Sequence, residues 1–362
     1  MTPLALFLRQ MGYQVSGSDN QPFRMSGLLQ EKGIQVFPDH LPEQVEKSQL
    51  VIYSTAIPSQ NPEYQQAKRL NIRCINRLEA VSMLMNDQNM LSITGSYGKS
   101  TTTTFSVSFA NQAGLNPSYL IGADLLDFSP AKWNRGVTPW FVFETDESHP
   151  DYLHFTPYSC VLTNIGNDHL QNYQEKKENL EKALFNFISS IDPKGCIVLS
   201  QEAYHSLHQF HHCLPDRTIR CGTGEDNHYR YAIEDCLFQK DHFETYFQLT
   251  VNGKTYSHLC LRMPGEKYVL DAVLAYALIS ESTGIFLSPD HFTHLPILDR
   301  RFQLKKQWGH SVLIDDEGDS PDVILEVLRI AKKIFPARTL IPVLQPHRFS
   351  RLKRLAKEYA DA

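Results

Sequence analysis

Apolar positions recur at helical spacing from Leu4 to Met11, then give way to short β-rich runs at Tyr13 to Ser16, Ile34 to Phe37 and Leu50 to Tyr53, with a second helix-like stretch between the first two. The pattern restarts at Met90 with a strand Leu91 to Thr94, a glycine turn and a Thr/Ser-rich helix running to about Ala113. Strands are predicted at Trp140 to Glu144, Ser159 to Asn164 and Gly195 to Ser200, and a Lys/Glu-rich amphipathic helix at Lys176 to Ser190. From Cys236 to Leu261 strict alternation around Asn252-Gly253 predicts an antiparallel hairpin. A helix follows over Val269 to Ser282. A last α/β stretch opens near Asp299 with a strand Ser311 to Ile314, a helix Pro321 to Ile334, a strand Thr339 to Leu344 and a helix starting near Ser350.

Strands alternating with helices indicate an α/β protein. At roughly 150 residues per domain, 362 residues make two to three domains. The expected divisions are 1–77, 78–297 and 298–362. The chain opens directly in what the pattern makes the first helix of a nucleotide-binding unit, without the strand and glycine-rich turn that begin such units. One βαβ unit is too small for a stable doubly wound sheet, so the third domain reads as incomplete.

Composition changes this picture little. Hydrophobic residues at 42% and charged residues at 21% are those of a globular chain with substantial cores. The net charge of −5 argues against a nucleic-acid binder that works by neutralising phosphates, and no apolar run approaches a membrane span. With no leader pattern, a cytosolic protein is expected. The 7 cysteines form no CxxC pair and read as buried free thiols.

The strongest candidate chemistry is Ile93-Thr-Gly95-Ser96-Tyr97-Gly98-Lys99-Ser100-Thr101. A strand running through a glycine turn into a helix aims unpaired N–H groups and the positive helix end at a phosphate; Lys99 adds a charge and Ser100 a hydroxyl for Mg²⁺. The usual spacing GxxxxGK[ST] would put glycine at Ile93, so this is a shorter GxxGKS form. Glu144, Asp146 and Glu147 end one predicted strand, and Asn164, Asp168 and His169 follow another, at the sheet edge where open α/β sheets bind ligands. Beside a phosphate loop these groups read as metal ligands, since phosphoryl transfer needs a divalent cation.

At these residues the chain resembles the Mur ligases. YQVSGSD at 13–19, STAIPSQNPE at 54–63, ITGSYGKSTTT at 93–103, ETDES at 144–148, LTNIGNDHL at 162–170, DRRFQ at 299–303 and QPHRFSR at 345–351 follow the family's order along the whole chain. The likeness is greatest to members that join L-alanine to UDP-N-acetylmuramate. It implies the three-domain Mur ligase architecture: a partial Rossmann-like N-terminal domain, a central P-loop ATPase-like domain and an incomplete Rossmann-like C-terminal domain. It also implies ATP and Mg²⁺. ATP phosphorylates the muramoyl carboxylate, and the L-alanine amine attacks the acyl phosphate. By this resemblance Gly95, Ser96, Tyr97, Gly98, Lys99, Ser100 and Thr101 wrap the phosphates, Asp271 and Arg301 lie at the nucleotide, and Lys99, Glu144 and His169 are catalytic. Ser100, Glu144 and His169 hold magnesium. Ser18, Asp19, Asn61 and Glu63 face the uridine nucleotide, and His347, Arg348 and Arg351 face the muramoyl substrate and amino acid.

The departures from the family pattern have consequences. Tyr97 stands where histidine is usual and Ser100 where threonine is, the latter keeping the hydroxyl. The adenine segment PGRHNxxN reads Pro264 to Asp271, ending in a carboxyl that cannot donate when ionised. DDYGHHP appears as Asp315 to Pro321 without its tyrosine and histidines. Two alternatives therefore stay open on the sequence: a non-catalytic ATP-binding relative, and a Mur-type ligase with another acceptor. Oligomeric state is not legible.

Overall fold

The computed structural model describes the chain except residues 22, 86, 123–128, 135, 149–155, 168–169, 346–351, 354 and 362. The N-terminal segment runs α1 Thr2–Gln10, β1 Ser16–Ser18, α2 Ser26–Glu31, β2 Gln35–Phe37, β3 Leu50–Tyr53, α3 Pro62–Arg69, β4 Arg73–Asn76 and α4 Arg77–Met85. Its strands form two separate parallel pairs, β1 with β2 (Ser16 opposite Gln35) and β3 with β4 (Leu50 opposite Arg73). The strand expected at Tyr13 to Ser16 begins only at Ser16. Its start is displaced because Gly12, at φ +93°, carries the chain out of α1, and Tyr13 is left exposed. β4 escaped the periodicity because Arg73, Cys74 and Asn76 offer no apolar alternation.

Leu4, Leu6 and Phe7 of α1 are buried against the large central sheet. The Phe7 ring lies 5.1 Å from Trp133 and 6.0 Å from Phe141. The Gln10 side chain donates to the Ala131 carbonyl and accepts from the Trp133 amide. Leu4, Phe7, Ile75 and Val81 thus share one core with Phe143, Leu162 and Leu184, so buried packing is continuous across residue 77.

The central part contains β5 Asn89–Thr94, α5 Lys99–Gln112, β6 Ser118–Leu120, β7 Ala131–Lys132, β8 Trp140–Glu144, β9 Ser159–Leu162, α6 Lys177–Ile188, β10 Ile197–Ser200, α7 Gln201–Ser206, β11 Thr218–Gly222, β12 Tyr229–Gln239, β13 His242–Val251, β14 Lys254–Leu261 and α8 Glu266–Thr283. Its strands make one 10-stranded sheet in the order β14-β13-β12-β11-β10-β9-β5-β8-β6-β7. From β12 through β11, β10, β9, β5 and β8 to β6 the pairs are parallel, and β5 and β9 are buried on both faces, as parallel strands under helices must be. The expected hairpin is the β13–β14 pair, its turn held by positive φ at Asn252 (52°) and Gly253 (73°), the signature of a two-residue type I′ loop. A third strand, β12, pairs antiparallel with β13. Along β13 the burial alternates strictly, so one face of the ribbon meets α8 and the other solvent. α8 is apolar nearly all round and correspondingly buried, packed on α5 and the sheet. Among the described residues no helix is long and apolar enough to cross a membrane. All 7 cysteines are free thiols; Cys160, Cys196, Cys221 and Cys236 are buried, whereas Cys213 is exposed.

The C-terminal stretch begins with β15 Gln303–Trp308 and β16 Ser311–Asp315, an antiparallel hairpin, followed by α9 Pro321–Ile334. The strand expected at Thr339 to Leu344 does not form. β16 is paired with β15, and among the described residues Thr339 to Leu344 finds no neighbouring strand to satisfy its backbone groups; Ile341 and Val343 are 82% and 91% exposed. A short helix α10, Ala356–Asp361, closes the described chain. The start of the helix expected near Ser350 lies outside the described residues.

Candidate active site

Residues 95–98 link β5 to α5 at the carboxyl end of the sheet. Gly95 has φ +126°, and a Cβ there would strike the Thr163 hydroxyl and come within 2.9 Å of the Asn164 carbonyl, so only glycine lets the loop lie against the end of β9. The segment after β9 fastens it. Asn164 accepts from the Tyr97 amide at 3.0 Å and donates to the Tyr97 carbonyl at 2.9 Å; the Thr163 hydroxyl donates to that carbonyl at 2.6 Å. The Gly166 amide donates to Ser96 Oγ at 2.8 Å. Gly98, at φ +82°, then opens α5 with no side-chain cap on its first-turn N–H groups. A rigid loop under an uncapped helix start is an anion cradle by its donors and its dipole. The buried hydroxyls of Thr103 and Thr104 turn inward, each donating to the carbonyl four residues back at 2.8 Å, and do not compete for the cradle.

Lys99 is folded over the loop. Its ammonium donates to the Gly95 carbonyl at 2.6 Å and lies 2.9 Å from the Glu147 carboxylate. Glu147 is 1% exposed, and burial pushes its carboxyl up to about 7 against the pull of Lys99. Burial opposes the lysine's charge as well, but the carboxylates of Glu147, Asp146 and Glu144 outweigh it and hold its pKa above the usual lysine value. Glu144, the last residue of β8, accepts from the Gly122 amide at 3.1 Å; a Cβ on Gly122 would collide with its carboxylate, so Gly122 is what lets the carboxylate sit there. The structure thus gathers the phosphate loop, Lys99, Ser100 and Glu144 at one sheet edge. It adds Glu147 as the direct partner of Lys99, a role that the acidic run ETDES left undifferentiated.

Asp271 of α8 meets the same loop. It is 3% exposed, accepts from the Thr102 hydroxyl at 3.3 Å through Oδ1, and has Oδ2 without a partner. A Cβ on Gly98 would stand 2.5 Å from Oδ1. Arg301 lies close enough for its charge to act on Asp271, and is itself 3.4 Å from Glu317. Glu317 occupies the position of the missing family tyrosine and also pairs with Arg300. Asp316 ties the segment before β15 to the turn after β16, accepting from the Phe302 and Gly318 amides at 2.7 Å.

The N-terminal candidates form a second group. Ser18 donates to Glu63 at 2.5 Å and shares His40 Nδ1 at 2.8 Å; His40 is also 3.2 Å from Glu63. His40 was not singled out in the sequence, since a lone histidine carries no motif. Asn61 caps α3, accepting from the Glu63 and Tyr64 amides at 3.0 and 3.2 Å. Asp19 is exposed and accepts from the Gln21 amide at 3.0 Å. Asp168, His169, His347, Arg348 and Arg351 lie outside the described residues.

The donor set fits a magnesium nucleotide: an uncapped helix start, a glycine cradle, a lysine, the Ser100 hydroxyl and the Glu144 carboxylate. Of the three residues expected to hold Mg²⁺, Ser100 and Glu144 are described and lie at this edge, and His169 lies outside the described residues. Fold and loop together define an α/β protein of the phosphate-loop, nucleotide-binding class. Family models described as "Mur ligase family, catalytic domain" and "Mur ligase middle domain" match residues 1–89 and 93–279. The UDP-N-acetylmuramate–L-alanine ligase of Aquifex aeolicus is 31% identical over 364 residues, 99% of this chain and 78% of that protein. The Legionella pneumophila enzyme of the same name is 30% identical over 100% of this chain and 77% of its own. A solved UDP-N-acetylmuramate-alanine ligase from Thermotoga maritima superposes with TM-score 0.81 at 26% identity, covering 98% of this chain and 80% of its own. A murein peptide ligase from Psychrobacter arcticus shares the fold, with TM-score 0.75 at 20% identity over 96% and 77% of the two chains. The chain belongs to the Mur ligase family, and is an ATP-dependent ligase.

Proposed function

We propose that this ligase joins L-alanine to UDP-N-acetylmuramate, using ATP and Mg²⁺, in the synthesis of peptidoglycan precursors. The observation that carries the reading is the glycine loop pinned beneath the uncapped start of α5, with Lys99 and Glu144 at the same edge. A carboxylate is a poor electrophile, and phosphorylation turns it into an acyl phosphate with a good leaving group. The α-amine then attacks the carbonyl carbon, the C–O bond to phosphate breaks, and an amide, ADP and phosphate remain. Loop N–H groups and Lys99 bind and orient the β- and γ-phosphates, where fixed positive charge stabilises the transferring group. Lys99 reaches them by exchanging its loop carbonyls for phosphate oxygen while Glu147 keeps it charged. Ser100 and Glu144, with His169, are the residues that would hold magnesium, which supplies neutralisation of charge on the γ-phosphate.

Ser18, Glu63 and His40 supply the polar group for the uridine nucleotide, and the relatives' names support the choice of L-alanine as acceptor. The test is phosphate release by the purified chain with UDP-N-acetylmuramate, L-alanine and Mg·ATP, with the amide product weighed by mass spectrometry. Release should require all three substrates and fall at least tenfold in Ser100→Ala. Release without L-alanine, or with another amino acid preferred, refutes the assignment.

A further inference from the structure

We propose that Asp271 serves the nucleotide site as a protonated, hydrogen-bond-donating carboxyl, and that binding a nucleoside triphosphate in the phosphate loop is coupled to its uptake of a proton. The proposal rests on the reading of residues 95–101 as the ATP loop.

The geometry around Asp271 suits an acid better than an anion. Only one neutral donor, the Thr102 hydroxyl, reaches it, and among the described residues it makes no ion pair. A buried carboxylate with one weak donor is poorly satisfied, whereas the neutral acid has only a single O–H to place. Oδ2 has no partner, so it is the atom that carries the proton. Both oxygens abut Gly98, 2.5 and 3.2 Å from where its Cβ would be, so the free donor sits directly behind the last residue of the loop, where α5 opens. This is the position at which the family pattern has asparagine, whose amide donates at every pH. A carboxylic acid reproduces that donor only while it holds its proton.

The charged and titratable groups around it have other partners or fall short. Lys267 on α8 and Arg301 before β15 pull toward ionisation, yet Arg301 is shared with Glu317. Glu266 on α8 accepts from Tyr231 of β12, Tyr268 is directed to Asp316, and Lys99 on α5 is held by Glu147. The face that β9 and β10 present to α8 carries Val161 and Val198, while the Cys221 thiol of β11 acts on Tyr231. Burial outweighs Lys267 and Arg301, and the carboxyl is pushed up to about 7. Phosphates placed in the cradle add negative charge on the Gly98 side and raise it further, because like charge disfavours the anion. The proton comes from solvent and returns when the nucleotide leaves; only the O–H bond is made or broken.

Two measurements on the full chain test this. Infrared difference spectra between wild type and Asp271→Asn at pH 6, without nucleotide, should contain one protonated-carboxyl C=O band; its absence overturns the proposal. Calorimetric titration of Mg·ATP at pH 8, in two buffers of different ionisation enthalpy, should show the wild type taking up more protons than Asp271→Asn, the difference approaching about one per nucleotide. Protonation of ATP itself cancels between the two proteins. Affinity of the wild type should weaken up to about tenfold more than that of Asp271→Asn between pH 7 and 8. Equal proton uptake and equal pH slopes overturn the coupling. If neither protein binds Mg·ATP, the nucleotide reading fails and the coupling with it, a result set apart by the infrared band persisting in the free protein.

Discussion

Replacing Lys99 by alanine is the obvious way to disable the phosphate loop, and the structure says it will also damage folding. Lys99 is 14% and Glu147 1% exposed, with 2.9 Å between ammonium and carboxylate. Removing one partner of such a pair leaves an uncompensated buried charge, a loss of about 3–5 kcal/mol. Glu147 limits the loss by taking a proton, since burial already pushes it up to about 7 with the lysine present. That escape has a definite pH dependence. An unfolded glutamate ionises above 4.5, whereas the folded variant keeps its carboxyl neutral, so the unfolded state gains stability as pH rises. Wild-type Glu147 also keeps its proton up to about 7, so the penalty should stay level below that pH and grow by up to about 1.4 kcal/mol per pH unit above it, until Glu147 ionises in the folded variant. Urea unfolding of wild type, Lys99→Ala, Glu147→Gln and the double variant at pH 6 and pH 8 measures it. Lys99→Ala should be the least stable and worse at pH 8. Glu147→Gln alone should cost less, because Lys99 keeps the Gly95 and Ser96 carbonyls. The double variant should recover part of the loss and most of its pH dependence. A Lys99→Ala protein within about 1 kcal/mol of wild type at both pH values would refute the reasoning, since a broken buried pair costs more than that. Activity lost in Lys99→Ala bears on catalysis only when the double variant, which is relieved of the unpaired Glu147 carboxylate, has lost it too.

Gly98→Ala should cost roughly 1–2 kcal/mol in backbone strain at φ +82°, besides forcing Asp271 to move, so Mg·ATP affinity measured by calorimetry should fall while the circular dichroism spectrum stays that of wild type. Asp271 itself contributes a stability term with the opposite slope to an ordinary salt-bridged aspartate. Its folded value is raised from 3.8 to about 7, so its contribution is intact below the unfolded value and is lost as pH rises to about 7, by at most roughly 4 kcal/mol. Denaturation midpoints should accordingly fall less between pH 5 and 8 in Asp271→Asn than in wild type. Phe7→Ala removes a side chain that is fully buried against Trp133 and Phe141 and should cost about 3–5 kcal/mol; limited proteolysis should then release the N-terminal segment first.

The elements best legible in the sequence were those whose local pattern and long-range partners agree. Leu91 to Thr94 is buried on both faces, a central strand paired with β8 and β9, and the Asn252-Gly253 hairpin carries its own turn chemistry. Legibility failed where partners decide. Thr339 to Leu344 has strand-forming residues but no neighbouring strand among the described residues, while Arg73–Asn76 has an unpromising composition and a parallel partner in β3. The same division runs through the site. Lys99, Ser100 and Glu144 stand in motifs because their chemistry fixes both residue type and spacing. Glu147 and His40 take their roles from residues 48 and 22 positions away, distances at which spacing carries no information. Asp271 lies between these cases, since the motif marks its position while its protonation state follows from what surrounds it.

That distinction bears on how the departures from the family pattern should be weighed. Glu317 and Asp271 both replace neutral family residues by carboxyls, yet the surroundings treat them differently. Glu317 is half exposed and meets Arg300 and Arg301, so its charge is solvated and paired. Asp271 is buried beside one hydroxyl, so its charge is suppressed. A substitution table scores the two alike as acquired acids. The surroundings make one an ion-pair partner of Arg300 and Arg301 and the other a conditional substitute for an amide. On this reasoning the altered nucleotide segment is compatible with a working ATP site at neutral and lower pH, and it is the donor on Asp271, with the loop otherwise intact, that sets the upper limit.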